Sequence, residues 1–448
     1  MSETSAVTAA QPAESVIERA LRAQPIWLRE TRQASRLLRT PWILFALTVI
    51  VTLGLSAFGA VAVSDHVTPS NIGTMVFHVF FSIAYVVVVL AGSAIAANAI
   101  AVEREGKTFE ALQLTGLGPR QVARQKFASA YTQLAQYIFA LAPVGALSFL
   151  FGGVTTTEVV IAYVMLFAVG ALSVGFGLAL SSLMPNLRAA LLSTVAVSVI
   201  AGPALWGFFG FGGSAVAHHL WHDIPEAHPI WMPLAYTRAP FGAKYVVLLF
   251  AAPAVVFGVP GWLMYEITVA NLSSDADDRS TGYKRWFLAS SAICAALVLA
   301  VAALGESSRE RVEIGTAGVG LLTLLLGFGA FLLSGDPLAP SRRVQSAWER
   351  TAATGFTRLL GPGLSTTSVL SALWGVAIVG GTAALVCVEG MASSAYGNGG
   401  TTAAERLLVF VCYAGAFFVF LVGFLGALRA RGMRVIVARA LGAGVLVL

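Results

Sequence analysis

The chain has 448 residues, 57% of them hydrophobic and only 11% charged, with a formal net charge of +6. Soluble globular proteins average roughly 25% charged residues, so this composition excludes an ordinary water-soluble domain. It reads as an all-α, polytopic membrane protein with lipid as its solvent for most of its length. The basic excess fits loops lying against anionic headgroups and argues against a nucleic-acid partner. Cys294, Cys387 and Cys412 fall inside apolar runs without the spacing of a disulfide or zinc site, so they read as small buried hydrophobes and no cofactor is expected.

The first forty residues lack the apolar core of a cleavable signal, and the N-terminus is expected in the cytoplasm. Residues 1 to about 14 are rich in Ser, Thr, Ala and Gln and carry no folding signal. Glu14 to Arg39 reads as helical with a break near Pro25, which suits a helix's first turn. Arg29, Arg32, Arg36 and Arg39 recur at spacings of three and four and form a basic stripe, with Trp27, Ala34 and Leu38 elsewhere on the surface. Such a helix is expected to lie in the membrane interface, making residues 1–40 a cytoplasmic N-terminal segment.

Uncharged spans follow at about 43–63, 74–102, 127–151, 159–184, 189–211 and 246–265, each long enough to cross the bilayer as a helix. A second group lies at about 286–304, 314–335, 369–388 and 407–428. Val435 to Leu448 is apolar apart from Arg439 and only fourteen residues long, which reads as the beginning of a further span. The chain therefore divides into a six-helix unit over 41–272 and at least four more helices over 273–448.

Loop charges set one orientation. The short connections 64–72 and 152–157 contain no Lys or Arg, whereas Arg104, Lys107, Arg120, Arg124 and Lys126 crowd the loop between them, placing it in the cytoplasm. Alternation puts Arg188, Arg279, Lys284, Arg285, Arg342, Arg343, Arg350, Arg358, Arg429, Arg431 and Arg434 on that same side. Arg309 and Arg311, accompanied by Glu306, Glu310 and Glu313, break the rule, which leaves room for a missed or re-entrant segment in the second half.

The loop itself, Glu103 to Lys126, reads EREGKTFEALQLTGLGPRQVARQK. Charged residues cost about 2.5 to 3.5 kcal/mol each at the bilayer centre, so the segment must leave the membrane. Thr108 can cap a short helix on which Phe109 and Leu112 share a face. Gly116 and Gly118 can end that helix, and Pro119 can open the next one. An apolar face on a cytosolic helix calls for a protein partner, with Glu103, Glu105, Lys107 and Glu110 around it to orient docking.

This wording resembles the cytoplasmic loop between the second and third helices of ABC-2 type transporter permeases, commonly E-[RK]-E-x-[GK]-T-x-E-x-L-x-x-T-P-L before a basic helix start. The resemblance covers about residues 20–272; Gly116 stands where the family often has Pro, and Gln125-Lys126 where it often has Gly-Lys. It implies a six-helix permease core whose loop docks on a separate ATP-binding subunit through Glu103, Arg104, Glu105, Lys107, Thr108, Phe109, Glu110, Leu112 and Thr115. It further implies assembly as a homodimer or permease heterodimer in the inner (plasma) membrane, with export as the expected direction. The extra helices lie outside that unit.

The chain has no G-x-x-x-x-G-K-[ST] sequence, so ATP hydrolysis is expected from the partner and the chain is not expected to be an enzyme. Two alternatives differ in kind. An ion-coupled carrier would place ionisable groups inside the membrane, yet His78 is the only histidine within a span; Asn98, Gln133, Gln136 and Tyr137 can line a polar path or bond helix to helix. A metal site is the other: His218, His219, His222 and His228 cluster with Asp223 and Glu226, His218 and His222 one turn apart. Trp221 and Trp231 make the same stretch equally readable as an interfacial hairpin.

Overall fold

A computed structural model describes residues 25–36, 48–49, 52–54, 56–57, 69–107, 114, 116–150, 152–207, 241–274, 277–351, 360–394 and 400–447. Twelve helices account for nearly all of these, and no strand occurs among the described residues. In chain order they are α1 (Pro25–Arg36), α2 (Pro69–Glu105), α3 (Pro119–Leu150), α4 (Thr156–Leu183), α5 (Leu187–Gly207) and α6 (Ala243–Leu272, with a π-helical turn over Val247–Ala251). They continue as α7 (Thr281–Ala303), α8 (Ser308–Leu333), α9 (Arg342–Thr351), α10 (Leu364–Ser394), α11 (Gly400–Ala430) and α12 (Val435–Val447).

Eight of them, α2, α4 to α8, α10 and α11, are long and apolar enough to cross a membrane. They coincide with eight of the ten expected spans. The third span is also helical, as α3, but begins at Pro119, so the basic stretch through Lys126 is its first two turns. Most of the first span, 43–63, lies outside the described residues.

Two apolar cores lie side by side. One gathers Phe77, Phe80, Phe81, Leu134, Leu166 and Leu178 from α2, α3 and α4; the other gathers Trp286, Phe287, Leu322, Leu326, Val379 and Phe418 from α7, α8, α10 and α11. Helix α6 serves both, with Leu249 and Leu272 in the first and Val259 and Leu263 in the second. The division near residue 273 is therefore a change of bundle across a shared helix.

Helices α2 and α4 form the closest seam, through Ser173, Gly177 and Ser181 at every fourth position. A Cβ on Gly177 would stand 2.2 Å from the Ser93 carbonyl oxygen, so only glycine permits this approach. On either side, Ser173 Oγ donates to Val89 O at 2.7 Å and Ser181 Oγ to Ala97 O at 2.6 Å. Ser181 Oγ also accepts from Ala101 N at 3.0 Å, bridging the two ends of one rung in α2. Small residues with hydroxyl glue are how apolar helices gain affinity where lipid supplies no hydrophobic drive.

Arg309 and Arg311 stand at a short connection. The α7–α8 connection is a tight turn closed by a capping box between Ser307 and Glu310. Arg309 pairs with Glu313 at 2.9 Å, and Arg311 donates to Gly305 O at 2.8 Å. No re-entrant segment intervenes between α7 and α8.

Candidate functional site

The charged loop leaves α2 through Lys107, which has a left-handed backbone (φ 54°), and approaches α3 through Gly116 (φ 75°). Only glycine adopts such a conformation cheaply. Thr108, Phe109, Glu110, Leu112 and Thr115 lie outside the described residues, and the expected docking helix lies with them. Lys107 is exposed, as is Leu114.

Glu103, Arg104 and Glu105 are described, and each is engaged inside the molecule. Glu103 Oε1 accepts from Lys126 Nζ at 2.6 Å and from Arg29 at 3.3 Å, and Lys126, with only 2% of its side chain exposed, also donates to Glu30. One buried ammonium thus joins the end of α2, the start of α3 and helix α1. Two further bonds hold α1 in place: Ile26 N donates to Gln125 Oε1 at 2.9 Å and Trp27 Nε1 to Thr132 Oγ1 at 3.1 Å. The N-terminal helix therefore packs on α3 with Ile26 buried, while Arg29 and Arg32 are exposed.

Arg104 points the other way. Its guanidinium reaches Met184 O at 3.5 Å and Asn271 O at 3.4 Å, at the C-terminal ends of α4 and α6. Those ends carry partial negative charge, which a cation offsets. They are also tied to one another, Asn271 Nδ2 donating to Ser182 Oγ at 2.9 Å. Glu105 completes the set by accepting from Leu187 N at 3.2 Å, at the positive N-terminus of α5. Three consecutive residues thus contact α1, α3, α4, α5 and α6.

Beside them Arg120 meets the buried Glu266 of α6 at 3.4 Å, whose other oxygen accepts from Trp262 Nε1 at 3.1 Å, while Tyr265 OH donates to Arg120 O at 3.1 Å. Glu266 was not singled out in the sequence, although a lone carboxylate one and a half turns before the end of an apolar helix is a signal for a buried partner. A Cβ on Gly282 would stand 2.1 Å from its Oε2, so α7 starts against it.

The second bundle closes its same end with another ion pair. Lys284 and Asp336, both buried, stand 3.0 Å apart. Lys284 also donates to Gly361 O at 2.6 Å, and Thr367 donates to Asp336. Burial raises the Asp336 carboxyl above its ordinary value, and Lys284 and Thr367 offset part of that rise. For Asp278 burial pulls upward too, but hydrogen bonds from Thr281 and Ser280, with Lys284 nearby, prevail and hold it below the usual range. Arg439 of α12 donates to Phe331 O at 2.9 Å and Leu332 O at 2.8 Å, capping the C-terminus of α8. Between these caps and α6 lies a cavity of about 740 Å³, lined in part by Asn271, Asp278, Tyr283, Asp336, Pro340 and Arg439.

The polar-path residues do not converge. Asn98 is exposed and donates to Ala94 O of its own helix at 3.2 Å; Gln136 is exposed, while Gln133 and Tyr137 are half-buried on α3. His218, His219, His222 and His228 lie outside the described residues, and no group able to hold a metal occurs among those described. Of the cysteines only Cys387 is buried; Cys294 is half-buried and Cys412 exposed on α11, so the expectation of three buried hydrophobes holds for one. Comparison with protein-family models, with curated proteins and with solved structures finds no match for the chain.

Proposed function

We propose that the chain is the membrane-spanning permease subunit of an ATP-driven transporter of the ABC-2 type. It docks through the 103–126 loop on a separate ATP-binding subunit and works as an exporter in the inner (plasma) membrane with its N-terminus in the cytoplasm. The observation that carries this reading is the footing of the loop. Glu103, Arg104 and Glu105 bond to α1, α3, α4, α5 and α6 within one turn of helix. A partner that moves the loop would therefore pull on five helices together, which is what coupling nucleotide hydrolysis to a change of access requires.

On this reading the work divides within the loop. Glu103, Arg104 and Glu105 transmit force into the bundle, and Lys107 through Thr115, with Phe109, Glu110 and Leu112, meet the partner. The chain has no Walker sequence of its own, and the proposed assembly pairs two permease chains with two ATP-binding subunits.

The test is co-purification with a P-loop protein encoded beside it. Glu110→Lys with Leu112→Asp is expected to abolish recovery of the ATPase while the permease still folds, as judged by its melting temperature in detergent. Undiminished recovery overturns the proposal.

A further inference from the structure

Helix α9 contributes no residue to either apolar core, although Val344 near its start lines the cavity beside α6. It interrupts the connection between α8 and α10, and that connection is pinned at both ends: Leu364 N donates to Pro337 O at 3.0 Å, and Lys284 ties Asp336 to Gly361. Because α8 ends and α10 begins at the same face of the bundle, the excursion leaves and re-enters at one membrane level. A ten-residue helix on such a short tether cannot travel far from that level.

Its sequence, RRVQSAWERT, divides cleanly at 100° per residue. Val344 and Trp348, one turn apart, share one face; Arg342, Arg343, Ser346, Glu349 and Arg350 occupy the other. Three arginines stand against a single glutamate, all four exposed, and Val344 and Trp348 are each partly exposed. Neither Val344 nor Trp348 belongs to either core.

We infer that α9 is an in-plane helix that binds the anionic surface of the membrane. Trp348 seats among the headgroup carbonyls, and Arg342, Arg343 and Arg350 hold lipid phosphates. Three features select this occupant over a protein groove: the tether fixes the helix at the bilayer surface, the tryptophan suits the interface, and the charge is complementary to an anionic leaflet. The inference rests on the eight apolar helices spanning a bilayer and is independent of the ATPase proposal. It adds an anchor to the second bundle, so that movement between the bundles would be felt against a lipid surface.

Hydrogen–deuterium exchange of the peptide spanning 342–351, in the full chain, provides the test. Nanodiscs of phosphatidylcholine alone are compared with nanodiscs containing phosphatidylglycerol. Exchange is expected to slow by at least about ten-fold in the anionic discs, and the slowing to vanish in Arg342→Gln/Arg343→Gln/Arg350→Gln. Trp348→Ser is expected to exchange faster in both. A matching melting temperature in detergent shows that the variants fold. Equal exchange in the two lipid compositions overturns the inference. So does equal protection in a nonionic micelle, which would mean that the chain itself covers the apolar face. Failure to enter nanodiscs at all would instead strike the membrane reading on which it rests.

Discussion

Lys126 reaches back from the second turn of α3 to within 2.6 Å of Glu103 in the last turn of α2, closing the base of the loop that separates them. The contact lies 23 residues apart in sequence and draws in Glu30 from a third helix. Two carboxylates share one buried ammonium, and the more exposed Arg29 supplements it at Glu103. Removing one partner of a buried pair leaves uncompensated charge, which is costly, whereas neutralising the whole set can be nearly free.

Lys126→Met is therefore expected to destabilise the protein by on the order of 3 kcal/mol and to loosen α1. Combining it with Glu30→Gln and Glu103→Gln should recover most of that loss. Melting in detergent, with protease sensitivity of the N-terminal segment as a second readout, checks both; a triple variant no better than the single one contradicts the arrangement.

The α2–α4 seam gives a steric prediction. Gly177→Ala would press a methyl group to within 2.2 Å of the Ser93 carbonyl, and the backbone there cannot rotate aside. A loss of about 1–3 kcal/mol is expected. Ser181→Ala, which removes the hydroxyl bonded to Ala97 O and Ala101 N, should cost less, about 0.6 to 1.7 kcal/mol. Reversal of that order in thermal unfolding would show that the hydroxyl, rather than the close approach, dominates the seam.

Asp278 gives a pH-dependent prediction. Its carboxylate accepts from Ser280 N at 3.0 Å and Thr281 N at 3.1 Å at the start of α7, and its pKa is lowered from the ordinary 3.8. A folded-state value below the unfolded one means that the stabilisation is fully present above about 3.8 and disappears as pH falls through the lowered value. Asp278→Asn is expected to cost about 1 kcal/mol at neutral pH, and the difference from the parent protein should shrink as acid protonates the parent carboxylate. Melting curves between pH 7 and pH 3 test this, and a gap that widens in acid contradicts it.

Arg439 supports the last helix by capping another. Its bonds to Phe331 O and Leu332 O bring α12 against the end of α8, with Gly335 close enough that a Cβ would meet the guanidinium at 2.7 Å. Arg439→Ala should release α12 and speed proteolysis after Arg434, whereas Arg439→Lys, which can satisfy fewer carbonyls, should have an intermediate effect. Equal proteolysis of all three proteins would mean that α12 is held elsewhere.

Much of the helical layout is legible in the sequence. Eight expected spans reappear as apolar helices, and Pro119 opens α3 as its fixed backbone angle favours. The role of Glu103 and Glu105 was less legible. Along the chain they read as charges that orient docking around an apolar face, and the fold directs one to Lys126 and Arg29 and the other to Leu187 N. At Arg309 and Arg311 the sequence shows the neighbouring glutamates, but only the fold shows that Arg309 meets Glu313 and that Arg311 caps Gly305 O. Glu266 and the Lys284–Asp336 pair escaped notice because their partners come from other helices, up to 146 residues away.

By itself the sequence determined the solvent and the spacing of the helices, because the cost of placing a charge in hydrocarbon is local and accumulates residue by residue. Its wording over 103–126 also supplied the resemblance on which the proposed function rests. Only the tertiary structure decided where the charges at the helix ends go. Which carbonyl a guanidinium caps, or which carboxylate a buried lysine meets, depends on how helices distant in the chain cross. At the α2–α4 seam that crossing is set by a glycine where a methyl group would not fit.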